Sequence, residues 1–352
     1  MITPKQIFMR LAVLIFTFLF YTVLSGQDTS PSNPNVTCYP DNFYSAFGNI
    51  NIGNLKVINS PDLDYNAVLV GDGLIFTSTR EQKASRFAAT AGGGKLNAWK
   101  KKLSTLFYSQ LSDGILAEPV PLTGAVNDEY HESSASFSYS GNIMFFTRSS
   151  AKKGKRGKRQ LKIFMAEKSG EEWGDIREVP FNGDDFSTCH PAISSDGTRL
   201  YFSSNRPGGY GGMDIYVSTY RNKAWTDPVN LGAIINSTGN EVFPYISEDE
   251  VLYFSSSDQG GLGRLDIFRS KKIYEDSERT WQIKQNLGEP FNSSGDDFGF
   301  YINADNSGGL FTSSRNGGKG RDDIYYWQLV DKPIFRASIT PILEGSDLNT
   351  SH

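Results

Sequence analysis

The 352-residue sequence predicts an all-β chain made of repeated four-stranded units that close on themselves. Three observations predict it. The segment YFSSNRPGGYGGMDIYVS at residues 201–218 returns as YFSSSDQGGLGRLDIFRS at 253–270 and as LFTSSRNGGKGRDDIYYW at 310–327. Self-similarity of this kind marks an architecture in which each unit buries its apolar face by stacking on the next. The composition suits short strands and tight turns, with 24 Phe, 17 Tyr and 35 Gly. Finally, NIGNLKVINSPD at 51–62 matches VNLGAIINSTGN at 229–240, so the N-terminal segment is expected to complete the last unit. Such a closure removes an exposed strand edge.

Residues 1–26 read as a secretory signal: Lys5 and Arg10 precede an apolar run of 14 residues, 11–24, and the small pair Ser25-Gly26. The run is short for a membrane span, and an uncleaved anchor is the alternative. Gln27, where an acylated lipoprotein would carry Cys, argues against acylation. Residues 27–52 are expected as a linker, because 28–42 are polar and rich in Pro. The repeat is expected over 53–330. Residues 331–352 form a tail whose FRASITPIL stretch (335–343) looks like the first strand of a further β-sandwich domain.

Two weaker copies precede the three clear ones: IFTSTR with LFYSQ, and FFTRSS with KIFMAE. Anchoring on Phe76, Phe146, Phe202, Phe254 and Phe311 gives spacings of 70, 56, 52 and 57 residues. Each unit offers four short strands: one before an Asp-Gly type turn, one at YFSS, one at DIYVS and one around a Trp (Trp173, Trp225, Trp281). Four antiparallel strands, repeated, define the blade of a β-propeller. Five blades are expected, or six if residues 332–345 contribute a further strand.

The phrase SSDGTRLYFSSNRPGGYGGMDIYVS resembles the PD40 repeat, the WD40-like repeat of TolB-type propellers. The added W-x-x-P-x-x-L-G…I-N from Trp225 to Asn236 resembles the propeller region of Bacteroidetes outer-membrane proteins of the OmpA family, including PorE-type components of type IX secretion. The resemblance covers about residues 53–330 and weakens in the first two units, where Thr105 and Lys162 replace the Asp of the DIY strand. It implies an exported protein of the periplasm or outer membrane that binds other proteins. Family members continue into a sandwich and a peptidoglycan-binding module. No room for that module is left here, so peptidoglycan anchoring is not expected of this chain.

Asp64, Glu129, Asp185, Glu241 and Asp297 are matched as one repeated acidic position. On a ring near the channel mouth they would repel one another unless a cation neutralised them, and Ca²⁺ would suit oxygen ligands. The plainer expectation is that each accepts hydrogen bonds from a neighbouring turn. Asp214, Asp266 and Asp323 are expected to hold turn amides or Arg206 and Arg315. Two insertions carry the basic charge: Lys100, Lys101 and Lys102 in residues 83–104, and Lys152, Lys153, Lys155, Arg156, Lys158 and Arg159 in residues 151–161. They would meet an acidic protein, anionic lipid or lipopolysaccharide on one face.

Other classes find little support. A net charge of −4 argues against nucleic acid, and a mean hydropathy of −0.39 against a multi-span membrane protein. Three His and two Cys leave little for His-based metal chemistry, and no G-x-S-x-G is present. Cys189 and His190 are neighbours, but adjacent strand residues point to opposite faces, so no dyad is expected. A Cys38–Cys189 disulfide suits an oxidising compartment. The expected function is a non-catalytic envelope scaffold without a cofactor. The alternative is a propeller that binds or hydrolyses glycans, using channel carboxylates or exposed aromatics such as Tyr210 and Tyr220.

Overall fold

A computed structural model describes residues 50–81, 103–154, 157–258, 260–275 and 278–334. The signal, Cys38, most of the linker and the tail beyond residue 334 lie outside these residues, as do Lys100, Lys101, Lys102, Lys155 and Arg156. The described residues hold 23 strands and no helix. Strand β1 (Ile50–Asn54) comes first. Blade 1 follows with β2 (Asp64–Val70), β3 (Gly73–Ser78), β4 (Thr105–Ser112), β5 (Ile115–Leu116) and β6 (Val120–Pro121). Blade 2 holds β7 (Glu132–Phe137), β8 (Ile143–Lys153), β9 (Arg159–Ser169) and β10 (Glu172–Glu178). Blade 3 holds β11 (Thr188–Ile193), β12 (Arg199–Ser204), β13 (Asp214–Arg221), β14 (Ala224–Trp225) and β15 (Val229–Asn230). Blade 4 holds β16 (Glu241–Ile246), β17 (Val251–Ser256), β18 (Asp266–Glu275), β19 (Glu278–Trp281) and β20 (Gln285–Asn286). Blade 5 holds β21 (Asp297–Ile302), β22 (Gly308–Ser313) and β23 (Asp323–Leu329).

Strand β1 supplies the outer strand of blade 5, pairing antiparallel with β23 from Ile50↔Leu329 to Asn54↔Tyr325. The repeat therefore begins inside the stretch expected as linker, and five blades close the ring. The apolar core is divided accordingly. Five buried clusters each join two consecutive blades, including the last and the first through Leu310 and Ile324 against Leu74 and Phe76.

The second strand of each blade is packed on both faces, so it reads as a continuous apolar and small-residue run instead of alternating. Strands β3 and β22 are buried along their whole length. The five anchor phenylalanines, Phe76, Phe146, Phe202, Phe254 and Phe311, are all 0–1% exposed. Fully burying such a side chain contributes about 1.5–3 kcal/mol each.

Each innermost strand carries a β-bulge after its second residue. The third residue is left-handed in every blade: Asn66, Ser134, His190, Phe243 and Gly299, with φ from 47° to 62°. A bulge sharpens the local twist, and here it turns the strand at the ring's centre. Three of these residues donate their N–H to a threonine hydroxyl on the second strand of the preceding blade. The pairs are Asn66 to Thr312, Ser134 to Thr77 and His190 to Thr147, at 2.9, 3.0 and 2.9 Å.

Candidate functional site

The strand register corrects the predicted acid ring. The heads of the five innermost strands pair with the fourth position of the YFSS strand: Asp64↔Ser78, Glu132↔Arg148, Thr188↔Ser204, Glu241↔Ser256 and Asp297↔Ser313. Glu132 and Thr188 thus hold the places assigned to Glu129 and Asp185, which stand three residues earlier on exposed turns. The four acids at strand heads are fully buried. Three are closed by the serine four residues before them. Asp64 accepts from Ser60 N and Oγ (2.5 and 2.6 Å), Glu241 from Ser237 N and Oγ (2.9 and 2.6 Å), and Asp297 from Ser293 N and Oγ (2.6 and 2.8 Å). Among the described residues, no three His, Cys, Asp or Glu side chains gather as metal ligands.

Glu132 differs because Asp128 stands where blades 1, 4 and 5 place serine. Its Oε1 accepts from Arg148 Nε at 3.0 Å, while its buried Oε2 has no partner. Burial pushes this carboxyl up to about 7, against the pull of Arg148.

Beside each strand head, a cation caps the same backbone carbonyl. Arg80 reaches Ile58 O, Arg148 reaches Val126 O (3.3 Å), Arg206 reaches Phe181 O (3.2 Å) and Arg315 reaches Phe291 O (2.6 Å). Blade 4 has Asp258 in the arginine's place, and Lys284 arrives from the outer side to cap Ile235 O at 3.3 Å while pairing with Asp258 at 3.0 Å. All five cations lie 4.9–5.6 Å from aromatic rings of the blade core. Next to each carbonyl, an asparagine grips both main-chain groups of one residue on the third strand. The pairs are Asn59–Ile324, Asn127–Leu106, Asn182–Ile163, Asn236–Ile215 and Asn292–Ile267.

Asp214, Asp266 and Asp323 bind hairpin amides, as the repeat suggested. Asp214 accepts from Tyr210 N (2.5 Å), Gly211 N (3.0 Å) and Asn230 Nδ2 (2.8 Å). Arg206 and Arg315 do not reach them and serve the carbonyl caps instead. The glycines follow from this packing. A Cβ on Gly209 would fall on the Asp214 carboxylate, and one on Gly211 on the carbonyls of Ser237 and Gly239 in the connection to blade 4.

Blade 2 breaks the pattern. Residues 151–153 and 159–161 of the second insertion continue strands β8 and β9, each 11 residues long, where the other second strands have six. Lys152, Lys153, Lys158 and Arg159 are exposed on this hairpin. Arg159 is fixed by Ser150 O and Ala151 O and lies over Tyr130 at 5.5 Å. Lys162, in the place of Asp214, pairs with Glu178 and Asp184 at 2.8 Å each.

At the ring's centre, the bulge places Cys189 Sγ 3.6 Å from His190 Nδ1, so these neighbours do approach. The histidine ring stacks on Phe243 at 3.8 Å and its Nδ1 accepts from Phe243 N at 3.4 Å. Burial holds His190 down at about 3 and raises the Cys189 thiol, so neither is set up as base or nucleophile at neutral pH. The channel here has a volume of only about 20 Å³. A far larger cavity, about 840 Å³, opens at the end opposite the β8–β9 hairpin. Tyr210 and Tyr220 do not line it.

No family model matches the sequence, and no curated protein matches it. Solved structures of similar shape include a TolB-type protein of Agrobacterium tumefaciens (TM-score 0.44, 16% identity, 75% of this chain and 76% of that one). TolB of Acinetobacter baumannii is similar at a TM-score of 0.38 (12% identity, 73% and 67%). An exo-β-1,3-galactanase of Clostridium thermocellum is similar at 0.47 (12% identity, 79% and 62%). These are likenesses of propeller shape and assign no activity to this chain.

Proposed function

We propose that this chain is a non-catalytic binding module of the cell envelope, exported by its N-terminal segment, which docks an acidic surface of a partner protein on the β8–β9 hairpin. The observation that carries the reading is the contrast in charge display. The strand-head carboxylates are buried and bonded within their own blades, so they offer neither a charged ring nor a free acid–base pair. Cations are instead held out on a hairpin continuous with the sheet. Pre-ordering of such a charged element speeds encounter and fixes orientation. The resemblance to outer-membrane propellers of the OmpA family suggests the compartment and a protein occupant.

The test is crosslinking of the chain in its native envelope, beside a variant carrying Lys152→Glu, Lys153→Glu and Lys158→Glu. The expected result is a defined envelope protein that the wild type captures, that the variant loses and that rising salt releases. Capture that survives the charge reversal overturns the reading. So does binding confined to lipopolysaccharide or to vesicles of anionic lipid.

A further inference from the structure

The large cavity opens at the end where each innermost strand turns into the second; blades 1 and 2 line most of it, and Ile193, Tyr245, Glu248 and Tyr301 of blades 3 to 5 complete it. Its volume of about 840 Å³ falls in the range of small-ligand sites, about 300–1,000 Å³. One wall is built around the glycine that begins the second strand of blade 1. Gly73 begins β3 where Arg199 begins β12. A Cβ at Gly73 would stand 2.5 Å from the Tyr108 ring, so the glycine lets that ring lie flat on the strand. The Tyr108 hydroxyl donates to Asp72 Oδ1 at 2.6 Å and the Gln110 amide to Asp72 Oδ2 at 3.4 Å. Both carboxylate oxygens are therefore positioned, with capacity left to accept from a ligand. The Tyr108 hydrogen bond also holds Asp72 below the usual carboxylate range, so it is ionised at neutral pH.

The facing wall belongs to blade 2. Phe137 packs against Trp173 at 5.6 Å, and Tyr139 stands 84% exposed at the lip. At the blade 3–4 junction, Arg199 itself meets Glu250 at 2.7 Å, and Lys272 lies 3.7 Å from the same carboxylate. Gly73, in that arginine's place, puts no side chain at the start of β3. The lining charges are Asp72, Glu171 and Glu248 against Lys168, an acidic excess that disfavours phosphates and acidic polymers.

We propose that this cavity binds a neutral oligosaccharide. A sugar ring presents an apolar C–H face, which suits the Tyr108 and Tyr139 planes, and an edge of vicinal hydroxyls, which can donate as a pair to the two fixed oxygens of Asp72. The serine, threonine and asparagine groups of the lining both donate and accept, as hydroxyls require. The site is on the opposite face from the docking hairpin and does not depend on it.

The experiment titrates the full chain by calorimetry with the trisaccharides of β-1,4-linked glucose, β-1,4-linked N-acetylglucosamine and α-1,4-linked glucose. Saturable binding of at least one is expected. It should weaken tenfold or more in both Asp72→Asn and Tyr139→Ala, and persist in Lys152→Glu/Lys153→Glu. Tyr139 is exposed, so its variant folds and keeps the test informative. The proposal is overturned if none of the three sugars binds or if binding survives both cavity substitutions. Cavity binding restricted to short peptides overturns it too.

Discussion

Blades 3 to 5 and blades 1 and 2 share one backbone plan but use it differently. In the later blades a short glycine hairpin wraps a buried aspartate, Asp214, Asp266 or Asp323, and locks onto the next blade. In the earlier two, Thr105 and Lys162 take the aspartate's place. The hairpin is then free to grow, as β8 and β9 do; at the opposite end, these two blades line most of the large cavity. The asparagine clamps and carbonyl-capping cations persist in all five blades. The difference teaches where a repeat can diverge: the parts that hold a blade to its own third strand are kept, and the hairpins and turns at its two ends are free to vary. The docking hairpin lies in the divergent pair, and the same pair lines most of the cavity.

The largest expected effect compares one position across this divide. Asp214→Ala leaves two hairpin amides and the Asn230 amide without their shared acceptor. A loss of about 3 kcal/mol is expected, since bonds to a charged group contribute about 1.5–3 kcal/mol each and part is recovered by water. Thermal unfolding should shift down by roughly 6–12 °C. Lys162→Ala, at the equivalent place, removes pairs to half-exposed and exposed carboxylates and should cost under about 1 kcal/mol. Equal shifts for the two variants would erase the distinction between the blades.

Glu132 provides a test by pH. Its folded-state pKa, about 7, lies above the ordinary 4.5. Between these values the folded state holds a proton that the unfolded state has released. Stability therefore rises as pH falls from 7 towards 4.5, and the penalty of the buried charge is complete above pH 7. Glu132→Gln should flatten this segment of the melting-temperature profile. Glu241, by contrast, is closed by two bonds from Ser237 and a third from Ser256. An unchanged slope in Glu132→Gln would assign the pH dependence elsewhere.

Much of the fold was legible because its signals are backbone-wide. The five anchor phenylalanines sit where a strand is buried on both faces, which forces an apolar run, and the match of 51–62 to 229–240 announced the closing strand. The acid ring slipped by three residues in blades 2 and 3, because Glu129-Tyr130 and Asp185-Phe186 imitate the acid–apolar pair of the other heads. Counting from the clamp would have found Glu132: Asn127 precedes it by five residues, as Asn59 precedes Asp64 and Asn236 precedes Glu241. Lys284 was illegible, since it replaces an arginine from 26 residues away in sequence. The cavity was illegible too, for its lining is drawn from turns and strands far apart in the sequence, from Val68 to Tyr301.

The smallest effect expected is a gain. Thr77, Thr147 and Thr312 each accept an N–H from a left-handed residue of the next blade. Ser203 and Ser255 occupy the same position in blades 3 and 4, and their buried hydroxyls have no partner. A β-branched side chain narrows the rotamers that the hydroxyl explores, and its extra methyl buries apolar surface. Ser203→Thr and Ser255→Thr should each stabilise by about 0.5–1 kcal/mol and raise the melting temperature by roughly 1–4 °C. The stacked pair of His190 and Phe243 gives the two sites different surroundings, since Phe243 N already donates to His190. Ser255→Thr should therefore gain more than Ser203→Thr. A fall in both would mean that serine is kept in these blades for the space that the methyl would take.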